Sequence, residues 1–270
     1  MEHASDNWYV GALSILLALL IVAVIMFAQH RRPPTIRKIA GLNAVDEAVG
    51  RATEMGRPVL MVPGLDGLAI STLQALSIFS HIGRNVAKFG NRSIVATNDP
   101  LVTGIAEETI RDAYAESGRP ELFDTNDIRY LSSQQFAFAT GVAGILIRDN
   151  VAASFLFGGF YAESLIFAEV GNQVGAVQVA GTTQVTQIPF LIAACDYVII
   201  GDEFYAASAY LSRNPTLLGS LVAQDYCKLI LMIIVWLGCI GVSILAAHPG
   251  DHPTGWLHFV DKAVKLFKPG

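Results

Sequence analysis

Residues 8–28 read WYVGALSILLALLIVAVIMFA, and no charged residue lies between Asp6 and the end of this run. An α-helix needs about 20 apolar residues to cross the hydrocarbon core of a bilayer. The run therefore predicts a transmembrane helix over 8–28. A cleaved signal peptide is disfavoured because Glu2 and Asp6 precede the run, where signal peptides carry positive charge.

A second apolar run, LILMIIVWLGCIGVSILAA at 229–247, follows Lys228 and predicts a second transmembrane helix. The first run is followed by four basic residues, Arg31, Arg32, Arg37 and Lys38. Lys and Arg are enriched on the cytoplasmic side of membrane helices. We therefore expect an integral protein of the cytoplasmic (inner) membrane, with its central part in the cytoplasm and both termini outside.

The composition restricts the classes of partner. The chain has 270 residues, of which 53% are hydrophobic and 15% charged, and its formal net charge is -5. A nucleic-acid partner is disfavoured because it requires a basic surface. The three cysteines have the spacing of neither a disulfide framework nor a zinc site.

Between the two apolar runs, short apolar segments alternate with helical patterns. The predicted strands cover 59–62, 93–97, 128–131, 153–157, 176–179 and 197–200. Continuous apolar strands separated by helices are typical of a parallel sheet covered on both faces. We predict one α/β domain at 34–226, with a Rossmann-like, mostly parallel sheet, inserted between the two transmembrane helices.

Ligands of open α/β sheets bind beyond the carboxyl ends of the strands. The candidate ligand-binding residues at these positions are Gly64, Asp66, Thr97, Asp99, Gly181 and Asp202. Glycines there permit a phosphate or small polar molecule to approach helix N-termini. The competing interpretation is that the glycines only form tight turns, since the sequence contains no nucleotide-binding motif.

The few carboxylates of the second half do not form a recognisable catalytic pair. Glu163, Glu169 and Asp196 would serve as general acids or bases only if burial separated their pKa values around a substrate. A structural role is the alternative: capping a helix, pairing with an arginine such as Arg148, or lying at the surface. No nucleophile motif is present, so the sequence favours no enzymatic activity and indicates no cofactor.

Histidines near the end of the chain do not indicate a metal site. His248 and His252 are four residues apart, but Pro249 and Pro253 exclude a regular helical ligand face. Beyond them, residues 254–268 alternate apolar and basic positions with helical spacing. This pattern predicts an amphipathic helix that lies either on the membrane interface or on a neighbouring subunit.

The segment from Ser133 to Gly201 is unusually poor in charge. Its charged residues are Arg148, Asp149, Glu163, Glu169 and Asp196. A domain of this size cannot bury so much apolar surface within itself, so part of this flank should contact other protein. The alternative is a neutral monomer surface of Gln, Ser, Thr and Asn.

Four segments carry a family resemblance: IRKIAGLNAVDEAVGRATEMGRPVLMVPG at 36–64, FYAESLIFAEVGN at 160–172, AACDYVIIGDEFYAASAYLS at 193–212 and LLGSLVAQDY at 217–226. They resemble an uncharacterised family of prokaryotic two-helix membrane proteins with a central domain of unknown function. The resemblance implies the two-helix layout and assigns no site residues.

Three functions are consistent with these patterns. The first is a structural membrane protein that assembles into a homo-oligomeric ring or array through its α/β domain, because anchored copies share one plane and orientation. The second is a membrane-anchored module that binds or senses a small-molecule ligand at the Gly-rich strand ends. The third, a membrane-bound enzyme, has the least support.

Overall fold

The computed structural model describes residues 8–30, 40–212 and 215–247. The chain forms two compact units. One unit, Ile36–Arg213, contains the sheet, and the other contains the two long apolar helices α1 (Trp8–His30) and α9 (Pro215–Ala247). The predicted tail helix at 254–268, with His248 and His252, lies outside the described residues.

Six strands form one parallel sheet in the order β3-β2-β1-β4-β5-β6. The α/β fold with a parallel, Rossmann-like sheet is therefore confirmed. The strands are β1 (Val59–Gly64), β2 (Ser93–Thr97), β3 (Ile128–Tyr130), β4 (Ala153–Gly159), β5 (Val177–Thr182) and β6 (Tyr197–Ile200). All residues of β1, β2 and β4 are buried, as expected for strands covered on both faces.

Helices cover both faces of the sheet. One layer consists of α2 (Ala40–Glu54), α3 (Ile70–Lys88), α4 (Pro100–Glu116) and α8 (Asp202–Ser212). The other consists of α5 (Gln135–Arg148), α6 (Ser164–Gln173) and α7 (Ile188–Ala194). Successive strand residues alternate between the two cores: Val59 and Met61 contact the first layer, whereas Leu60 and Val62 contact the second.

The first core is dominated by aromatic rings. Phe157 of β4 stacks between Phe155 and Phe204, at centroid distances of 6.5 and 6.0 Å, and contacts Phe79 of α3 at 6.0 Å. These four rings are fully buried. They join α3, β4 and α8 into one packed body, which fixes the strand ends described below.

The helices α1 and α9 contain stretches, Gly11–His30 and Pro215–Ser243, that are long and apolar enough to cross a membrane. Only 6% of the most apolar part of each is buried within the chain, so neither resembles the core helix of a soluble protein. Helix α9 begins at Pro215, so residues 215–226, predicted as part of the central domain, form its first turns. Two tryptophans, Trp8 and Trp236, lie on these helices, and the sheet unit contains none.

Candidate functional site

The strand order places a topological switch point between β1 and β4, where a parallel α/β sheet usually binds its ligand. Here the two strand ends lie backbone against backbone. The Leu65 N–H donates to the Gly159 carbonyl at 2.8 Å. A Cβ on Gly158, whose φ is 134°, would lie 2.3 Å from the Pro63 oxygen, and this close approach requires glycine.

The Asp66 carboxylate occupies the crevice between these two strands. A Cβ on Gly159 would lie 1.7 Å from Asp66 Oδ2, so the carboxylate lies directly against the end of β4. Ser71 Oγ donates to Oδ2 at 3.1 Å, and Tyr161 Oη donates to Oδ1 at 3.0 Å. The place where related sheets hold a ligand is thus filled by a side chain of this protein.

Tyr161 is held in its charge-neutral form by this contact. Its hydrogen bond to Asp66, together with the negative charge of that carboxylate, raises the pKa of Tyr161 above its ordinary value. The ring itself is half exposed. The hydroxyl therefore acts as a hydrogen-bond donor that ties the β4–α6 loop to the β1–α3 loop.

A second buried carboxylate, Glu163, lies beside this contact. It is fully buried, and it accepts hydrogen bonds from the Tyr161 N–H, at 2.8 Å, and from Gln135 Nε2. The alternative of a pair with Arg148 is not realised, because Arg148 donates instead to the Gly144 carbonyl. Glu163 thus joins the start of α5 to the loop that carries Tyr161.

Glu169 and Asp196 lie at the surface. Asp196 accepts from the Gln178 N–H at 2.8 Å, and Glu169 accepts from Gln173 on its own helix at 3.5 Å. Cys195, next to Asp196, is a partly buried free thiol whose pKa is raised to about 12 by burial. That thiol stays protonated at neutral pH and has little nucleophilic character.

Thr97 and Asp99 follow β2, next to the β1 end, and both have local structural bonds. Thr97 Oγ1 and Thr103 Oγ1 are 2.6 Å apart. Asp99 is the N-cap of α4 and accepts from the Leu101 N–H at 2.7 Å. Its other oxygen, Oδ2, is 3.3 Å from the position of a Cβ on Gly67, so Asp99 lies beside the β1–α3 loop.

Gly181 and Asp202 are not part of this group. A Cβ on Gly181 would lie 2.6 Å from Phe157 Cδ1 and 3.1 Å from Phe204 Cδ2, so this glycine makes room for two aromatic rings. Asp202 is the exposed first residue of α8, after the edge strand β6. Three strand spacings, about 14 Å, separate β6 from β1. The structure thus brings Gly64, Asp66, Thr97 and Asp99 together and leaves Gly181 and Asp202 apart.

Sequence reasoning did not identify Tyr161, Gln135 and Ser71 as members of this cluster. Tyr161 directly follows Gly158-Gly159-Phe160 at the end of β4, which was the available signal. The contact between Tyr161 and Asp66 depends on the pairing of β1 with β4, and the order of the strands is not visible in the sequence. The carboxylates and hydroxyls of this cluster are already hydrogen-bonded to protein groups, so the cluster is suited to holding three loops together.

The comparisons with known proteins give one result. A family model described as a domain of unknown function, DUF6754, matches residues 3–251. The chain has no significant match among curated proteins or among solved structures. The family match covers both apolar helices and the sheet, and it confirms the resemblance to a family with a domain of unknown function. The chain therefore belongs to the DUF6754 family.

Proposed function

We propose that this protein is a structural, self-assembling integral membrane protein whose cytoplasmic α/β domains pack into a homo-oligomeric ring or array. The observation that carries the proposal is the outward surface of the α5–α6–α7 layer, which we name the apolar layer face. Its exposed large apolar side chains are Phe136, Ile147, Leu165, Ile166, Phe190 and Ile192.

The apolar layer face is poor in charge as well as rich in apolar side chains. Arg148 and Glu169 are the only charged residues of its three helices. By contrast, α4 in the opposite layer alone carries Glu107, Glu108, Arg111, Asp112 and Glu116. A soluble monomer normally keeps charge on all its surfaces, so this asymmetry favours contact with protein over contact with water.

The size of the face suits a second copy of the chain. Six half-exposed large side chains present on the order of 500 Å² of apolar surface, against about 800 Å² per partner in a standard interface. The largest apolar patch on a typical monomer is about 300–600 Å² and is often functional, so the apolar layer face is at the upper part of that range. Two membrane helices per chain would hold copies in one plane and orientation, which raises their effective concentration. A second copy is therefore the occupant that we propose.

The test measures the mass of the full-length protein in detergent by light scattering at micromolar concentration. The substitutions Ile166→Glu and Phe190→Glu should lower the mass of the assembled particle. Leu73→Glu on α3 is the matched control, since Leu73 is 47% exposed and Phe190 48%, and it should leave the mass unchanged. A monodisperse wild-type monomer, or layer-face variants that assemble as the wild type does, would refute the proposal.

The ligand-binding or sensory module takes second place, because Asp66 fills the crevice at the switch point. It stays a prediction with its own test. A small molecule that copurifies with the wild-type protein and is lost on Asp99→Ala would favour it. Mass spectrometry of denatured preparations is the direct measurement.

A further inference from the structure

Four large aliphatic side chains are exposed on two adjacent loops and helix starts at the carboxyl end of the sheet. Leu68 lies in the β1–α3 loop, Ile70 and Leu73 lie at the start of α3, and Leu101 lies at the start of α4. Their side chains are between 47% and 69% exposed. We name these four residues the aliphatic rim, and none of them belongs to the apolar layer face.

The two loops that carry the aliphatic rim are joined to each other. Asn98 Nδ2 donates to the Leu65 carbonyl at 3.2 Å, and Thr72 Oγ1 donates to the Gly67 carbonyl at 2.6 Å. A Cβ on Gly67 would lie 3.3 Å from Asp99 Oδ2. The four aliphatic side chains are therefore presented by one fixed surface and not by independent loops.

The exposed residues of these segments are all non-polar. Residues 64–80 and 97–106 contain six of them: Leu68, Ile70, Leu73, Pro100, Leu101 and Gly104. A protein interface has a polar rim and about one hydrogen bond per 100–200 Å². This surface has no fully exposed polar side chain to form such bonds, so it is better suited to hydrocarbon. By contrast, Thr140, Glu169 and Asn172 are exposed on the helices of the apolar layer face.

The charges beside the aliphatic rim are two partly exposed carboxylates, Asp66 and Asp99, and residues 64–80 and 97–106 contain no Lys or Arg. A lipid surface close to these carboxylates costs free energy, most of all if the lipid is anionic. The cost is reduced because Asp66 accepts from two hydroxyls and Asp99 caps α4. Each also lies at a helix N-terminus, whose dipole offsets negative charge. The aliphatic rim therefore fits a neutral lipid surface.

The chain itself holds this surface near lipid. Residues 213 and 214 join α8 to the apolar helix α9, and a link of this length spans about 10 Å at most. Helix α8 packs against α3, which carries Ile70 and Leu73. Exposed apolar patches mark contacts with protein or membrane. We propose that the aliphatic rim inserts into the lipid leaflet beside the sheet unit, as a membrane contact additional to α1 and α9.

This inference rests on the membrane anchoring in the proposed function and not on the assembly of copies. The test uses full-length protein in phosphatidylcholine nanodiscs, with a bimane label on one introduced cysteine in a chain that lacks its three native cysteines. Ile70→Cys is the test position. Met232→Cys on α9 is the positive control, and Phe89→Cys, at the amino end of the strands, is the negative control with 61% exposure.

The measurement is quenching of bimane by lipid that carries a nitroxide near its headgroup, compared with quenching by iodide in water. The lipid nitroxide should quench the label at Ile70 several times more than the label at Phe89, and iodide should show the reverse order. Equal lipid quenching at the two positions would overturn the inference. A label at Ile70 that neither quencher reaches would also overturn it, because protein would then cover the aliphatic rim.

A second variant pair tests the aliphatic side chains themselves while the label stays at Ile70. Leu101→Glu places a charge on the aliphatic rim and should lower the lipid quenching several times. Met55→Glu is the matched control, because Met55 is 50% and Leu101 58% exposed, and it should leave the quenching unchanged. Quenching that Leu101→Glu does not reduce would refute the insertion.

The outcomes separate this inference from the proposed function. A label at Met232 that lipid does not quench removes the membrane anchoring, and both proposals fail with it. Quenching at Met232 without quenching at Ile70 removes only the lipid contact of the aliphatic rim.

Discussion

At the scale of single residues, the Asp66 carboxylate fills the crevice between the ends of β1 and β4. Asp66 is the acceptor for two hydroxyls and lies against a glycine that has no space for a side chain. Its position after β1 was predictable, because strand ends are readable from the sequence. Its partner Tyr161 was not, because their contact joins loops 95 residues apart along the chain.

Gly159→Ala tests the filled crevice. The added methyl would overlap the Asp66 carboxylate and displace it from Ser71 and Tyr161, so we expect a loss of about 1–3 kcal/mol in the free energy of unfolding. Gly104→Ala is the control, because a Cβ at Gly104 would meet nothing within 4 Å. Gly104 lies in α4, where alanine should raise the free energy of unfolding by about 0.5–1 kcal/mol. Thermal unfolding in detergent measures both changes. Equal midpoints for the two variants would contradict the crevice description.

Tyr161→Phe tests the hydroxyl contact and its pH dependence. The pKa of Tyr161 is raised in the folded state. The contribution of its hydrogen bond to the free energy of unfolding is therefore fully present below the ordinary tyrosine pKa, about 10, and is lost as the pH rises through the pKa of the folded state. We expect the variant to be about 1 kcal/mol less stable than the wild type at pH 8, with the difference shrinking as the pH rises above the ordinary tyrosine pKa. Denaturant titration across this range measures it.

Tyr130→Phe is the matched control for this prediction. Tyr130 and Tyr161 are both 46% exposed, and within the described part of the chain the Tyr130 hydroxyl makes no hydrogen bond. Its removal should leave stability unchanged at pH 8. A pH-independent difference for Tyr161→Phe would show that the Asp66 contact is not its cause.

At the scale of elements, the strands were predicted more accurately than their arrangement. The predicted β2 and β6 coincide with the observed strands, because each is a short apolar run bounded by turn residues. The order was not predictable, because the pairing of β1 with β4 aligns Val59 with Ala153 across a long insertion. Gly181 illustrates the same limit, because the sequence does not show whether a glycine in a strand makes space for a ligand or for a phenylalanine ring.

The amino ends of the strands are held by a network of two arginines and two aspartates. Arg92 bonds to Asp127, which is nearly fully buried, and Arg129 Nη1 donates to Asp149 Oδ2 at 2.8 Å. Weaker ion pairs of 3.8 and 3.9 Å cross between the two couples. The network joins the starts of β2, β3 and β4, so it stabilises the strand order from the end opposite to Asp66.

Asp149→Asn tests this network. The hydrogen bond from Arg129, with the positive charges of Arg129 and Arg92, lowers the pKa of Asp149. The stabilising effect of the Asp149 carboxylate is therefore present above the ordinary aspartate pKa and is lost as the pH falls below about 4. We expect a loss of about 1–2 kcal/mol at pH 7 that shrinks towards pH 2. Unfolding curves across this range measure it.

The control for that prediction is Asp112→Asn, which removes an exposed carboxylate of α4. It should alter stability by less than about 0.5 kcal/mol at any pH. A constant difference between Asp149→Asn and the wild type from pH 7 to pH 2 would exclude the charge-based explanation.

At the scale of the whole molecule, the two apolar helices and the sheet unit were foreseen from composition alone. The register between α1 and α9 was not predictable, because it depends on Gly219 packing against Ala28 and Ile25 and not on where each apolar run begins. The charge-poor segment was visible in the sequence. Which of its apolar side chains are exposed on the helical layer could be identified only from the structure. Position on a layer is a tertiary property that periodicity alone does not give.

The topology inferred from the basic residues is tested by thiol labelling in cells. Glu108→Cys places a thiol on the exposed surface of α4, in the sheet unit. The basic residues after α1 favour a cytoplasmic position of this unit, so we expect a membrane-impermeant maleimide to label it only after the cells are permeabilised. Labelling in intact cells would reverse the orientation. Cys195 is partly buried and its raised pKa keeps the thiol protonated, so it should contribute little background.

The distribution of indole side chains separates the molecule into two optical regions. Trp8 and Trp236 lie on α1 and α9, and the sheet unit has only tyrosine and phenylalanine rings. Excitation at 295 nm therefore observes Trp8 and Trp236 of the helical pair, together with Trp256, without interference from the sheet unit. Brominated acyl chains quench indole emission at short range, so reconstituted samples give a direct spectroscopic readout of the environment of the anchors while the remainder of the fold stays silent.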